Sequence, residues 1–233
     1  MKEIQRQSPV QFKADAQKIA MRDNWPVVLE YSNEGRGPFV VDLTHKAKWD
    51  LQDKNLATHK PLGLDIPTLP GACAFQKSVL INRLNRTQCA IWHLLADAPA
   101  LPGEPGYTDV TESTVLLALF GPNALAIAEK LTALDLMDPQ KQTPFLLQGP
   151  FSHLPCQVVT LERGHGFDGG LLLTCSRGYA RSMVHAILDA GAEFGLRPAG
   201  EQRFSAWASG LSGKPGSAQA PSVMHLVTTR ENL

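Results

Sequence analysis

The spacing of apolar positions changes along this chain, and each change marks an element. Val115 to Phe120 is a continuous apolar run ending at Gly121-Pro122, the length and punctuation of a buried strand. Ala124, Ile127, Ala128 and Leu131 follow at i, i+3, i+4 and i+7 after a proline at the helix start, which predicts a helix. Gln157 to Arg163 and Gly170 to Cys175 are two further strand candidates around a glycine-rich turn. Ser176 then caps a helical pattern that places Tyr179, Met183, Ile187 and Ala190 on one face, with Gly195 at the C-cap position and Pro198 beyond it. Strand, helix, strand, strand, helix is a split βαβ, ferredoxin-like order, so this half is predicted as a sheet with helices on one face.

Upstream, Trp25 to Tyr31 (WPVVLEY) and Pro38 to Leu43 (PFVVDL) are β-rich runs separated by NEGRG, which predicts a hairpin. Ser78 to Leu84 alternates as a strand, Asn85-Arg86 reads as a tight turn, and Gln88 to Ala96 returns as its partner. Residues 98–107 (APALPGEPGY) hold three prolines and two glycines, the clearest boundary in the chain. The expected organisation is therefore α+β with two sheet-containing halves. It comprises an N-terminal arm over 1–24, a first β-rich half over 25–97, a linker over 98–107, the split βαβ half over 108–204 and a flexible tail over 205–233. The tail is poor in large apolar residues, with Val223 to Thr229 as a candidate edge strand.

Charge narrows the function classes. Lys and Arg number 22 against 22 Asp and Glu, so there is no global field to draw in nucleic acid or an anionic membrane surface. The N-terminal MKEIQRQSPVQFKADAQ has no signal-peptide core, and no window has the apolar length of a membrane helix. A soluble, cytoplasmic protein is expected. The four cysteines, Cys73, Cys89, Cys156 and Cys175, are then expected as reduced thiols filling core space. Cys89 and His93 are four apart, but on a strand that spacing separates them by about 13 Å, and no CxxC supplies a second ligand pair, so no metal site is expected.

Gly164-His165-Gly166-Phe167-Asp168-Gly169 matches GxGxxG after a strand. A strand also follows it, whereas pyrophosphate binding needs a helix N-terminus there, so a glycine hairpin is the reading adopted. Neither GxSxG nor HExxH occurs. Asp42, Thr44 and His45, in VVDLTHK at a strand end, are candidates to line a pocket; a capping Asp and a solvated His is the alternative left open.

Gly121-Pro122-x-Ala124, then Gly166-Phe167-Asp168, then Gly195-Leu196-Arg197-Pro198-Ala199-Gly200 resemble the glycine-cleavage T-protein family of folate-dependent aminomethyltransferases. That family's pattern is GPxA opening a helix, a Gly-Glu-x-Gly-aromatic-Glu hairpin and a GLxPxG exit. Here His165 stands in place of the first glutamate and Asp168 in place of the second. PLGLDIPTLPG, the DVTEST to ALDL run and SRGYARSMVHAILDAGAEFG are most similar to the gamma subunits of heterotetrameric sarcosine oxidases, truncated relatives of the same family.

The resemblance implies the aminomethyltransferase folate-binding fold and an accessory subunit of a flavoenzyme acting on N-methyl amines. Partners would be the other subunits, with self-association a further option. No cofactor is expected in this chain, and flavin and NAD would sit on the partners. A free-standing tetrahydrofolate-dependent one-carbon transferase, or a ligand-binding relative, is the competing expectation; Asp42, His165 and Asp168 would then be the cofactor-binding residues.

Overall fold

The structure, a computed structural model, describes residues 5–211. In chain order it forms β1 (Ala16–Arg22), β2 (Trp25–Tyr31), β3 (Phe39–Asp42), β4 (Lys48–Gln52), β5 (Cys73–Gln76), β6 (Val79–Asn85), β7 (Gln88–His93) and β8 (Tyr107–Asp109). Then come β9 (Thr114–Gly121), α1 (Ala124–Glu129), β10 (Phe145–Phe151), β11 (Leu154–Arg163), β12 (Gly169–Ser176), α2 (Ala180–Gly191), β13 (Arg197–Pro198) and α3 (Glu201–Ser209). The architecture is mixed α+β, dominated by strands. A six-stranded sheet runs β10-β11-β12-β9-β3-β13, a five-stranded sheet runs β5-β6-β7-β4-β8, and β1 and β2 form a ribbon.

β9 shows why its sequence is continuously apolar. Six consecutive residues, Val115 to Phe120, are buried because both faces of the strand are covered. Val115, Leu117 and Leu119 meet α1 and α2 through Leu125, Ile127, Met183 and Ile187. Leu116, Ala118 and Phe120 face the five-stranded sheet through Leu80, Leu84, Ala90 and Trp92, a core that Phe204 and Ala208 of α3 help to close. The outer face of the five-stranded sheet is covered more thinly, with Trp49, Leu51, Ile81 and Ile91 under Leu56 and Leu64 of the long connection after β4.

Several elements depart from expectation. Trp25 to Tyr31 does not pair with Phe39 to Asp42. Its partner is β1, within the predicted arm, because Asp23 and Asn24 both take positive φ and close a two-residue hairpin. Freed from that pairing, β3 inserts antiparallel beside β9, and β13 adds parallel to β3. The two halves are thus interleaved in one sheet.

β10, for which no strand was predicted, is paired along its full length with β11. Tyr179 is 48% exposed, not buried with Met183 and Ile187, because Arg177–Tyr179 form a 3-10 turn and α2 begins only at Ala180; Ala180 and Val184 complete its buried face. Residues 205–209, assigned to the tail, lie in α3, whose Phe204 and Trp207 pack on Phe120. The candidate strand at Val223 to Thr229 lies outside the described residues.

Gly200 allows α3 to begin where it does. A Cβ there would lie 2.2 Å from the carbonyl of Leu29 in β2, so no larger residue fits between the ribbon and the helix start. Glu34, buried between them, accepts hydrogen bonds from the N–H groups of Tyr31 (2.9 Å) and Gly200 (2.8 Å) and from Arg203 Nε (3.0 Å). No helix among the described residues is long and apolar enough to cross a membrane.

Candidate functional site

The turn from β3 to β4 is held from several directions. Asp42 Oδ1 accepts the Thr44 N–H at 2.9 Å, closing an Asx turn. Thr44 Oγ1 accepts the Leu116 N–H at 3.3 Å, and Leu43 N–H donates to the Leu116 carbonyl at 2.9 Å, so the turn stays tied to β9. Beneath it the buried Lys48 ammonium donates to the carbonyls of Thr44 (2.9 Å) and Lys46 (3.0 Å). Burial pushes the Lys48 amine down to about 8, against the pull of Asp42 and Asp109.

This rigid turn presents His45 and Lys46 to Glu201, the first residue of α3. Glu201, 2% exposed, receives Lys46 Nζ and Arg22 Nη1, each 2.5 Å from Oε1. His45 Nε2 lies 3.7 Å from the same oxygen, beyond hydrogen-bond reach, so Lys46 and Arg22 carry the pairing. Burial alone would raise the Glu201 carboxyl. The hydrogen bond and charge of Lys46 overcome that and hold it at about 2. Burial also lowers the His45 imidazole, which is neutral at neutral pH despite Glu201.

Next to this cluster is a cavity of about 260 Å³ lined by Ser8, Trp25, Tyr31, Asp42, His45 and Ala199, among others. Burial, then the charges of Asp42 and Glu34, push the Tyr31 phenol up to about 12, so it remains a hydrogen-bond donor. One carboxylate, a neutral imidazole and two aromatic rings can receive a small ligand carrying N–H groups. No cluster of three or more His, Cys, Asp or Glu suited to a metal exists among the described residues.

Of the residues expected from the sequence, Asp42 and His45 line this cavity, while His165 and Asp168 are exposed in the β11–β12 loop. Asp42 pairs across β3 with Leu117 of β9, whereas Gly169, next to Asp168, pairs with Gly121. Four residues of β9 therefore separate them, about 13 Å along the strand, so the two carboxylates do not converge. Asp168 instead serves the start of α1, where its Oδ1 accepts the N–H of Asn123 at 3.0 Å and the neighbouring Phe167 carbonyl accepts that of Leu125 at 3.1 Å. The GxGxxG turn leads directly into β12, and the N–H groups at the start of α1 that face it are taken up by the turn's own Asp168 and Phe167.

Glu201, Arg22 and Tyr31 were not singled out by sequence reasoning. The one available signal was an acid directly after GLRPAG, where a helix could start.

No family model matches the sequence. Aminomethyltransferases from Geobacillus thermodenitrificans and Shouchella clausii are 35% and 34% identical over 98 residues, covering 42% of this chain and 26% of each relative. One from Saccharopolyspora erythraea is 36% identical over 98 residues, covering 42% of this chain and 25% of that relative. The match thus spans about a quarter of the length of these relatives. Among solved structures, a chain of the heterotetrameric sarcosine oxidase from Corynebacterium sp. U-96, in complex with pyrrole 2-carboxylate, superposes with a TM-score of 0.57. Its sequence identity is 17%, and the likeness, one of fold, covers 66% of this chain and 84% of that chain.

Proposed function

From its relationship to the aminomethyltransferase T-protein superfamily, we propose that this chain is an accessory subunit of a sarcosine oxidase-type flavoenzyme acting on N-methyl amines in one-carbon metabolism. The observation that carries this reading is a difference in extent. The fold accounts for 84% of a chain in a heterotetrameric oxidase, while the sequence match accounts for 26% of the first transferase. In this reading the six-stranded sheet with α1 and α2 is an elaborated split βαβ unit, widened by β3 and β10. Flavin and NAD belong to the partner subunits, and the assembly is cytoplasmic.

At the Asp42 site, cavity size supports the same reading over folate chemistry. Pockets that enclose drug-sized ligands hold roughly 300–1,000 Å³, and the Asp42 cavity has about 260 Å³. With His165 in place of an acid and one Asp168 oxygen occupied by Asn123, the residues present do not fit a buried tetrahydrofolate. The second reading, a free-standing tetrahydrofolate-dependent transferase or ligand-binding relative, draws its support from the Asp42 carboxylate beside Trp25 and Tyr31.

Two measurements separate these readings. Purified alone, the chain is expected to be colourless and inactive on sarcosine; purified untagged from its source, it should appear by native mass spectrometry in an assembly with a flavin-bearing chain. A yellow, active single chain would sink the subunit reading. Calorimetry with tetrahydrofolate is expected to give no sub-micromolar binding. Such binding, abolished by Asp42→Asn, would establish the transferase reading instead.

A further inference from the structure

Cys156 and Cys175 lie on neighbouring antiparallel strands. The β11–β12 register pairs Gln157 with Thr174, so the next pair outward is Cys156 with Cys175. Both side chains belong to the same core cluster, on the face covered by α1 and α2, so they point the same way. Directly opposed residues in an antiparallel pair have Cα atoms about 4.5 or 5.5 Å apart, within the span of roughly 4.4–6.8 Å that a disulfide bridges. Cys73 and Cys89 are buried singly, in two other cores.

A place in a cavity wall distinguishes the pair from Cys73 and Cys89. Both line a cavity of about 520 Å³ at the strand ends, together with Thr114, Gly149, His153 and Ser176. Cys156 is 7% and Cys175 4% exposed, against 8% for Cys73, so the cavity wall rather than overall exposure gives a small reagent its route to the pair. The two thiols also differ. Hydrogen bonding between them lowers the Cys175 thiol and raises that of Cys156, which makes Cys175 the better nucleophile and Cys156 the thiol that keeps its proton.

We propose that Cys156 and Cys175 form a redox-active dithiol, oxidised by a small hydroperoxide to a disulfide across β11 and β12. The Cys175 thiolate attacks the terminal peroxide oxygen. The O–O bond breaks, Cys175 becomes a sulfenic acid, and the remaining oxygen leaves as water or an alcohol after taking up a proton. The Cys156 sulfur then attacks the Cys175 sulfur, the S–O bond breaks, and hydroxide leaves as water with the Cys156 proton. Two thiols are oxidised and one peroxide reduced, and an external thiol restores the pair. The step does not rest on the subunit reading, since it requires only this chain.

The test uses the full reduced chain and equimolar hydrogen peroxide. Free thiols should fall from the four of the reduced protein to two, the intact mass should drop by two hydrogens, and non-reducing peptide mapping should link Cys156 to Cys175. In Cys156→Ser, where no resolving thiol remains, dimedone should trap a sulfenic acid at Cys175. A single trivalent arsenical should bind the reduced wild type and not this variant. Retention of all four thiols, oxidation of Cys73 or Cys89 first, or oxygen addition without the linked peptide would overturn the proposal. The wild-type mass and linkage decide it even if a serine variant fails to fold.

Discussion

Two cationic side chains hold the single negative charge of Glu201. Lys46, 5% exposed, and Arg22 both rest on one of its oxygens, so Glu201→Gln would leave a buried ammonium without its counter-charge. That should cost about 3–5 kcal/mol, measured by urea denaturation at pH 7. The pH dependence has a definite sign. The Glu201 carboxyl is held at about 2 against an ordinary value of 4.5, so on acidification the unfolded chain takes up its proton first. Its contribution is complete above the ordinary value and is lost as pH falls from there towards 2. Wild type should therefore lose stability across that window more steeply than Glu201→Gln; parallel curves would show that the carboxylate is not the anchor. Asp42 was legible beforehand because it stands at a strand end in a turn-forming run. Glu201 was not, since its meaning depends on Lys46 and Arg22, which sequence places far away and geometry brings together.

At the scale of elements, periodicity served best where an element is covered on a constant set of faces. β9 and α2 are of this kind, and their apolar residues fall where the cores need them. It served worst at pairings. Nothing local says that β3 should leave β2 for β9, and the decisive signal, two positive-φ residues at Asp23-Asn24, is subtle in a polar stretch. α3 was missed because only Phe204, Trp207 and Ala208 of its residues reach the core. The helix reading has a direct check. Ile187 is fully buried against the sheet and Arg181 is exposed on α2. Ile187→Asp should prevent folding or cost more than about 4 kcal/mol, and Arg181→Ala should cost less than about 0.5 kcal/mol. Chemical denaturation of both variants measures this, and comparable small losses would mean that α2 is rotated.

For the whole molecule the governing feature is the six-stranded sheet, in which β3 is wedged between β9 and β13. Cutting the chain within residues 98–107 should therefore yield two fragments that are unfolded separately, each missing one side of the core between the sheets. Mixed, they should regain near-UV circular dichroism and a single cooperative melt; independent folding of either fragment would show that the halves are separable. The same wedge sets an order in time. During synthesis β3 leaves the ribosome long before the strand it must join, and joins late, when β9 and the closing α3 have both been made. Long-range pairing of this kind slows folding and leaves Phe39, Val40 and Val41 uncovered in the meantime, so the nascent chain's demand for chaperone protection should centre on that short strand.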